Sequence, residues 1–169
     1  MKKKRISLLI TLAAALTIAG LWYFWPRSLW DILPYYTQPE EAFTSCYAIL
    51  SPFDPGDGLP IQTVEFPLDS PTYDQLKELL DSSSYRRGLS DLFRLGRASD
   101  TQVVTLSPYA VSIYFRRGEL QWSIDFWGPR AVANSSTGAS RTYHPTGGTT
   151  FQQEVVDFIA SHAPKPTVM

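Results

Sequence analysis

The sequence predicts an α+β fold, in which a mostly antiparallel sheet of about five strands carries two helices on one face and follows an N-terminal transmembrane helix. Three observations predict this fold. A basic cluster precedes a long uncharged stretch, two successive segments alternate apolar and polar residues, and two further segments have apolar residues at helical spacing. A chain of 169 residues is long enough for one domain of this kind.

The N-terminal segment has the pattern of a membrane anchor. Basic residues at 2–5 precede an uncharged stretch over 6–25. Its length of about 20 residues matches the hydrocarbon core of a bilayer. Pro26 ends the stretch, and residues suited to the membrane interface gather just before it: Trp22, Tyr23 and Trp25. The basic end is expected in the cytoplasm, which makes this a single-pass protein of the cell membrane with an extracytoplasmic C-terminal domain.

A cleaved signal peptide is the alternative for this segment, with Thr17-Ile18-Ala19 as a weak cleavage site. The apolar run continues past that site to Trp25, which favours an uncleaved signal-anchor. All 16 acidic residues lie beyond Pro26, so the remainder is more acidic than the whole-chain net charge of −1 indicates. We therefore divide the chain into a cytoplasmic basic segment, a transmembrane helix, a membrane-proximal linker, an extracytoplasmic domain and a tail, at 1–5, 6–25, 26–41, 42–163 and 164–169.

The first half of the domain contains one ambiguous segment and two clearer ones. Residues 42–51 fit either a strand or a helix, and Pro52 together with frequent β-favouring residues favours the strand. Residues 61–68 are predicted to form a strand, and Pro67 places it at a sheet edge. A helix is predicted to begin at Ser70, which is a good N-cap, and its apolar stripe includes Leu76.

The second half begins with a basic connector over 85–97 and a short β segment over 102–106. Alternation over 109–115 and 120–126, with a tight turn at Arg117-Gly118, predicts a hairpin at the centre of the sheet. Small and polar residues over 131–148 predict a flexible loop, interrupted by a short strand near Tyr143. A last amphipathic helix is predicted from Thr149 or Thr150 up to Pro164.

This order of anchor, linker and small α+β domain resembles that of small single-pass surface proteins of Gram-positive bacteria that lack assigned activities. The resemblance extends over the whole chain and rests on organisation alone. No residue-specific motif accompanies it, so it implies no functional residues.

The candidate binding residues are arginines and one tryptophan. Arginine offers planar, bidentate contacts to carboxylate or phosphate, and the chain concentrates it after the first helix of the domain. Nearby acids, among them Asp81 and Asp91, could instead pair with these bases on a solvated face. Trp127 stands beside Gly128 and points away from the apolar side of its strand. The predicted binding residues are Arg86, Arg87, Arg94, Arg97 and Trp127.

Catalytic signals are weak. His144 lies in the loop rich in Ser, Thr and Gly, but no nucleophile motif accompanies it. His162 follows the last helix, where a cation complements the helix dipole. Cys46 is predicted to be a small core residue, and Asp54 with Asp57 lacks the ligand spacing of a calcium loop. We therefore predict no catalytic residue, no cofactor and no metal.

The sequence thus favours a membrane-anchored, non-catalytic interaction or accessory domain of the cell envelope. Besides the membrane contacted through 6–25, its expected partner is an anionic envelope polymer or another membrane protein. A net charge of −1 argues against nucleic acid. The alternatives are a small cell-envelope hydrolase that uses His144 and a structural subunit of a membrane complex.

Overall fold

The computed structural model describes residues 2–34, 43–88 and 107–164. Within them, a seven-stranded antiparallel sheet accompanies four helices. The helices are α1 (Lys2–Tyr23), α2 (Leu29–Ile32), α3 (Pro71–Asp81) and α4 (Thr149–Ser161). The strands are β1 (Ser45–Pro52), β2 (Gln62–Phe66), β3 (Tyr85–Arg86), β4 (Tyr109–Arg117), β5 (Leu120–Trp127), β6 (Arg130–Ser135) and β7 (Ser140–Pro145).

The strand order is β2-β1-β4-β5-β6-β7-β3, and each pair of neighbours is antiparallel. The β4–β5 hairpin lies at the centre, as its strict alternation predicts. The segment that fitted both a strand and a helix forms β1, which pairs on both sides. The predicted β segment over 102–106 lies outside the described residues.

The predicted count of about five strands and two helices is wrong. Residues 131–148, expected to be mainly loop, contribute most of β6 and all of β7. The connector that begins at Tyr85 starts with β3, which pairs with β7. These segments are short and rich in small or polar residues, so their own sequence carries little β signal. Pairing with the neighbouring strands is what makes them part of the sheet.

The predicted transmembrane helix over 6–25 is also wrong. Among the residues that the structure describes, no helix is both long and apolar enough to cross a membrane. Helix α1 includes the basic residues at its start and ends at Tyr23, so its uncharged part is shorter than the stretch on which the prediction rested. Thr11 and Thr17 lower its apolar character further. The predictions of a signal-anchor and a single-pass membrane location fail with it.

One face of the sheet is covered and forms the core. Helix α3 begins at Ser70, whose hydroxyl accepts a hydrogen bond from the Tyr73 amide at 3.2 Å. Helices α2, α3 and α4 bury their apolar sides against the same face of the strands. The fully buried contributors from these helices are Leu29, Ile32, Leu76, Leu80, Val155 and Ile159, and they pack with strand residues such as Ile113, Ile124 and Phe126.

The opposite face of the sheet, here called the open face, carries the alternate residues of each strand. In β4, for example, Ile113 and Phe115 are buried, whereas Ser112 and Tyr114 on the other side are half-buried. The same alternation runs through β1 and β6. The open face therefore holds polar and aromatic side chains, and a binding surface is expected on this face.

Candidate functional site: the open face of the sheet

Strand pairing brings four side chains into one row at one end of the open face. Trp127 of β5 pairs with Arg130 of β6, and His144 of β7 pairs with Arg86 of β3. The β6–β7 ladder ends at the pair Ala131–Tyr143, and extending its register by one residue places Arg130 across from His144. We call the four residues the edge row: Trp127, Arg130, His144 and Arg86.

The local sequence explains how β5 and β6 contribute to this row. Phe126 and Ala131 are fully buried, so their neighbours Trp127 and Arg130 face the opposite side. A turn at Gly128 and Pro129 joins the two strands, and Gly128 has a φ of 56°. That left-handed conformation suits glycine and closes the hairpin so that Trp127 and Arg130 become direct neighbours.

The arginines of the edge row are available to a ligand. Arg86 and Arg130 are both exposed. Within the described part of the chain, neither guanidinium makes an ion pair or a side-chain hydrogen bond. Since strands lie about 4.8 Å apart, the backbones that carry the two arginines are separated by two strand spacings, roughly 10 Å. The row therefore presents two exposed cations whose backbone spacing is fixed by the sheet.

Trp127 lies at the end of the edge row opposite Arg86. Half of its surface is exposed, at 50%, which is unusual for so large an apolar side chain. The ring of Phe53 meets it edge to face, with 5.8 Å between ring centroids. This contact restrains the indole while leaving much of it open. A restrained and exposed aromatic ring beside a cation is a common feature of binding surfaces.

A second group of side chains occupies the centre of the open face. The rings of Tyr47 and Tyr114 stack with their centroids 4.8 Å apart. Two residues before Trp127 on β5, Asp125 accepts a 2.6 Å hydrogen bond from the side-chain amide of Asn134. We call Tyr47, Tyr114, Asp125 and Asn134 the central patch. They continue the open face from the edge row towards β1.

Partial burial changes the acid–base properties of the central patch. Burial raises the pKa of Asp125, and hydrogen bonds from Ser112, Asn134 and Ser123 offset the rise only in part. Burial, and then the nearby charge of Asp125, raises the pKa of Tyr114. The phenol is therefore a neutral hydrogen-bonding group, and Asp125 is the acid of the central patch.

The five predicted binding residues do not all lie at one site. Arg86 and Trp127 come together in the edge row, although they are 41 positions apart in the chain. Arg87 lies instead between the rings of Tyr23 and Tyr143, with its guanidinium carbon 5.0 and 5.6 Å from their centroids. Such a sandwich holds the end of α1 against the sheet. Arg94 and Arg97 lie outside the described residues.

The other residues that were candidates for catalysis or metal binding make contacts typical of structural roles. The Nδ1 atom of His162 lies 2.8 Å from the Phe158 carbonyl oxygen at the end of α4, as expected for a capping residue. Asp54 accepts a hydrogen bond from the Gly56 amide at 2.7 Å, which closes a turn. Cys46 is buried in β1, and burial raises its pKa to about 12. Among the described residues, no group of acids, histidines and cysteines is arranged to hold a metal ion.

Arg130 is the site residue that sequence reasoning missed. It directly follows Gly128-Pro129, which indicates a turn, and it precedes a segment expected to be loop. The sequence does contain one signal for this strand. Ala131 and Ala133 alternate with larger residues, which is compatible with a strand whose small side chains pack closely on a core. A hairpin across Gly128-Pro129 would have placed Arg130 opposite Trp127.

Comparison with known proteins gives no match: no family model fits the chain, and no curated protein or solved structure is significantly similar to it.

Proposed function

We propose that the protein is a non-catalytic binding domain that holds an anionic polymer across the edge row of its open face. The observation that carries this proposal is the pair of exposed arginines, Arg86 and Arg130, which lie in one row with Trp127 and whose guanidinium groups make no ion pair within the described part of the chain. Each arginine offers paired N–H donors to a carboxylate, sulfate or phosphate group. Trp127 offers an apolar surface to the part of the ligand between its charges.

The spacing of the cations favours a polymer over a single small anion. Two arginines whose backbones are roughly 10 Å apart suit a ligand with successive anionic groups along its length. Because the edge row crosses β5, β6, β7 and β3, the ligand is expected to run perpendicular to the strands. The overall net charge of −1 means that attraction comes from this local row rather than from the whole surface.

The alternative of a hydrolase that uses His144 receives less support. A catalytic base needs a nucleophile within hydrogen-bond reach and a group that orients it. His144 pairs with Arg86 of β3, and extending the β6–β7 register by one residue places Arg130 on its other side. Strand pairing places a cation, Arg86, opposite His144, and a cation suits anion binding, whereas a catalytic triad needs a carboxylate that orients the base.

The test compares a charged polymer with its uncharged parent. We expect the full-length protein to bind dextran sulfate and not neutral dextran, measured by calorimetry at several salt concentrations. Arg86→Gln and Arg130→Gln should each weaken binding about tenfold, which corresponds to the loss of one charge-assisted contact. Arg117→Gln is the matched control, since it removes the same charge from the far end of β4.

Three results would contradict the proposal. Equal binding of both dextrans would show that charge is not recognised, and equal losses for Arg117→Gln and Arg86→Gln would show that the row is not the site. Tighter binding of single-stranded DNA than of dextran sulfate, with the same dependence on Trp127, would indicate base stacking and a nucleic-acid ligand instead.

A further inference from the structure

A second polar depression lies away from the open face, where three connections of the chain meet. It is a cleft of about 350 Å³. Its walls come from the link between α1 and α2, the link between α3 and β3, and the turn between β7 and α4. Its lining includes Arg27, Asp81, Ser83, Ser84 and Thr146. Its volume lies near the lower end of the range for small-molecule sites, about 300–1,000 Å³.

Hydrogen bonds between the three connections hold the walls in place. Arg27 and Tyr85 exchange two backbone hydrogen bonds, at 3.0 and 2.9 Å, so the chain before α2 lies along β3. The buried hydroxyl of Ser83 donates to the Thr146 carbonyl oxygen at 3.0 Å. The hydroxyls of Ser84 and Thr146 are 2.8 Å apart. The cleft is therefore formed before any ligand arrives, which lowers the entropic cost of binding.

Two opposite charges line this cleft without pairing with each other. The guanidinium of Arg27 lies over the Trp22 ring, 5.1 Å from its centroid. The carboxylate of Asp81 accepts a hydrogen bond from the indole nitrogen of Trp30 at 3.3 Å. Although both residues are described, no ion pair joins them. Each charged group thus contacts an aromatic side chain, and the two residues that carry the charges both line the cleft.

Burial also affects the carboxyl group of Asp81 in this cleft. Burial raises its pKa, and the hydrogen bond from Trp30 and the charge of Lys77 offset the rise only in part. A positively charged ligand group beside Asp81 would stabilise its ionised form.

We infer that this cleft binds a small zwitterion, an amino acid or short peptide with free termini, with its ammonium group at Asp81 and its carboxylate at Arg27. A simple anion would meet the carboxylate of Asp81, and a simple cation would meet the guanidinium of Arg27. A ligand that carries both charges satisfies both residues at once. The wall hydroxyls are already engaged, so recognition depends mainly on the two charges.

The experiment uses the full chain and the dipeptide Ala-Ala with its two blocked forms. Calorimetry at millimolar ligand should show saturable binding of the free dipeptide and at least tenfold weaker binding of N-acetyl-Ala-Ala and of Ala-Ala-amide. Asp81→Asn should weaken binding of the free dipeptide at least tenfold and remove the preference for it over the N-acetyl form. Arg27→Gln should weaken binding of the free dipeptide at least tenfold and remove the preference for it over Ala-Ala-amide. Asn at position 81 keeps an oxygen that can accept from Trp30, and thermal melts of each variant verify folding.

Glu78→Gln is the control, because Glu78 is an exposed acid on the same helix that does not line the cleft. It should bind the free dipeptide like the wild type. Equal binding of free and blocked dipeptides, no saturable binding of any of them, or an equal loss in Glu78→Gln would overturn the inference. The outcome is separable from that at the edge row, since Arg86→Gln should leave dipeptide binding unchanged.

Discussion

The indole nitrogen of Trp122 donates a 2.9 Å hydrogen bond to the carbonyl oxygen of Pro34. Trp122 lies in β5 at the centre of the sheet, whereas Pro34 follows α2, 88 positions earlier in the chain. Both residues are buried. This bond joins the chain segment before the sheet to the middle of the domain, and it adds a polar restraint to the packing of Leu29 and Ile32.

Trp122→Phe is therefore expected to destabilise the domain by about 1–3 kcal/mol, because the buried Pro34 carbonyl loses its donor while a ring remains in the core. Urea denaturation followed by circular dichroism measures the change. Trp127→Phe is the control on the same strand, since Trp127 is half exposed and its indole nitrogen has no such partner within the described residues. Equal stability losses in the two variants would refute the role assigned to the hydrogen bond.

Asp125→Asn is expected to stabilise the protein near neutral pH and to have little effect in acid. Because burial raises the pKa of Asp125, ionisation is less favourable in the folded chain than in the unfolded chain. The contribution of this group to stability is thus complete below the ordinary Asp pKa of about 3.9 and is lost as pH rises through the raised value. Asparagine keeps an oxygen to accept from Asn134 and removes the charge.

Thermal melts of wild type and Asp125→Asn across the acidic to neutral range would reveal this difference. The gain in melting temperature should appear only above the ordinary pKa of aspartate. Asp57→Asn, which changes an exposed acid in the turn before β2, should show no such pH-dependent gain. A gain of constant size at every pH would mean that ionisation of Asp125 is not its cause.

The parts of this fold that sequence could predict are those in which side-chain pattern and tertiary environment agree. The β4–β5 hairpin alternates apolar and polar residues without interruption, and Ser70 gives α3 a clear start. β6 was missed because its buried residues, Ala131 and Ala133, are small and resemble loop composition. Their small size suits close packing beneath the helices, a requirement that becomes visible only once the sheet is assembled.

The candidate site was less predictable than the fold, for a related reason. Arg86 and Trp127 could each be singled out, one for its charge and the other for its position beside a turn. Their alignment depends on the two-residue strand β3 pairing with β7, and such a short pairing carries no periodic signal. Arg130 likewise joins the edge row only because of the register in which the strands pair. Proximity across strands is a property of the assembled sheet rather than of any one segment.

Cys46 should react slowly with thiol reagents in the folded protein. Burial raises its pKa to about 12, so near pH 8 the thiolate fraction is roughly a thousandfold lower than in an unfolded chain. Reaction with a chromogenic disulfide should therefore be slow in buffer and fast in urea. Rapid reaction in buffer would show that Cys46 is accessible in the folded protein and would contradict its burial.

Gly148 is expected to be intolerant of a side chain. It precedes α4 with φ 53° and ψ −121°, a combination that L-residues other than glycine rarely adopt. Gly148→Ala should therefore cost about 1–3 kcal/mol of stability, measured by urea denaturation, because a single van der Waals contact of the new Cβ with Pro129 does not offset the backbone strain. Gly20→Ala is the control: Gly20 lies within α1, a Cβ there meets nothing within 4 Å, and alanine favours helix. If Gly148→Ala unfolds at the same urea concentration as the wild type, the turn before α4 is not under the constraint inferred from its dihedral angles.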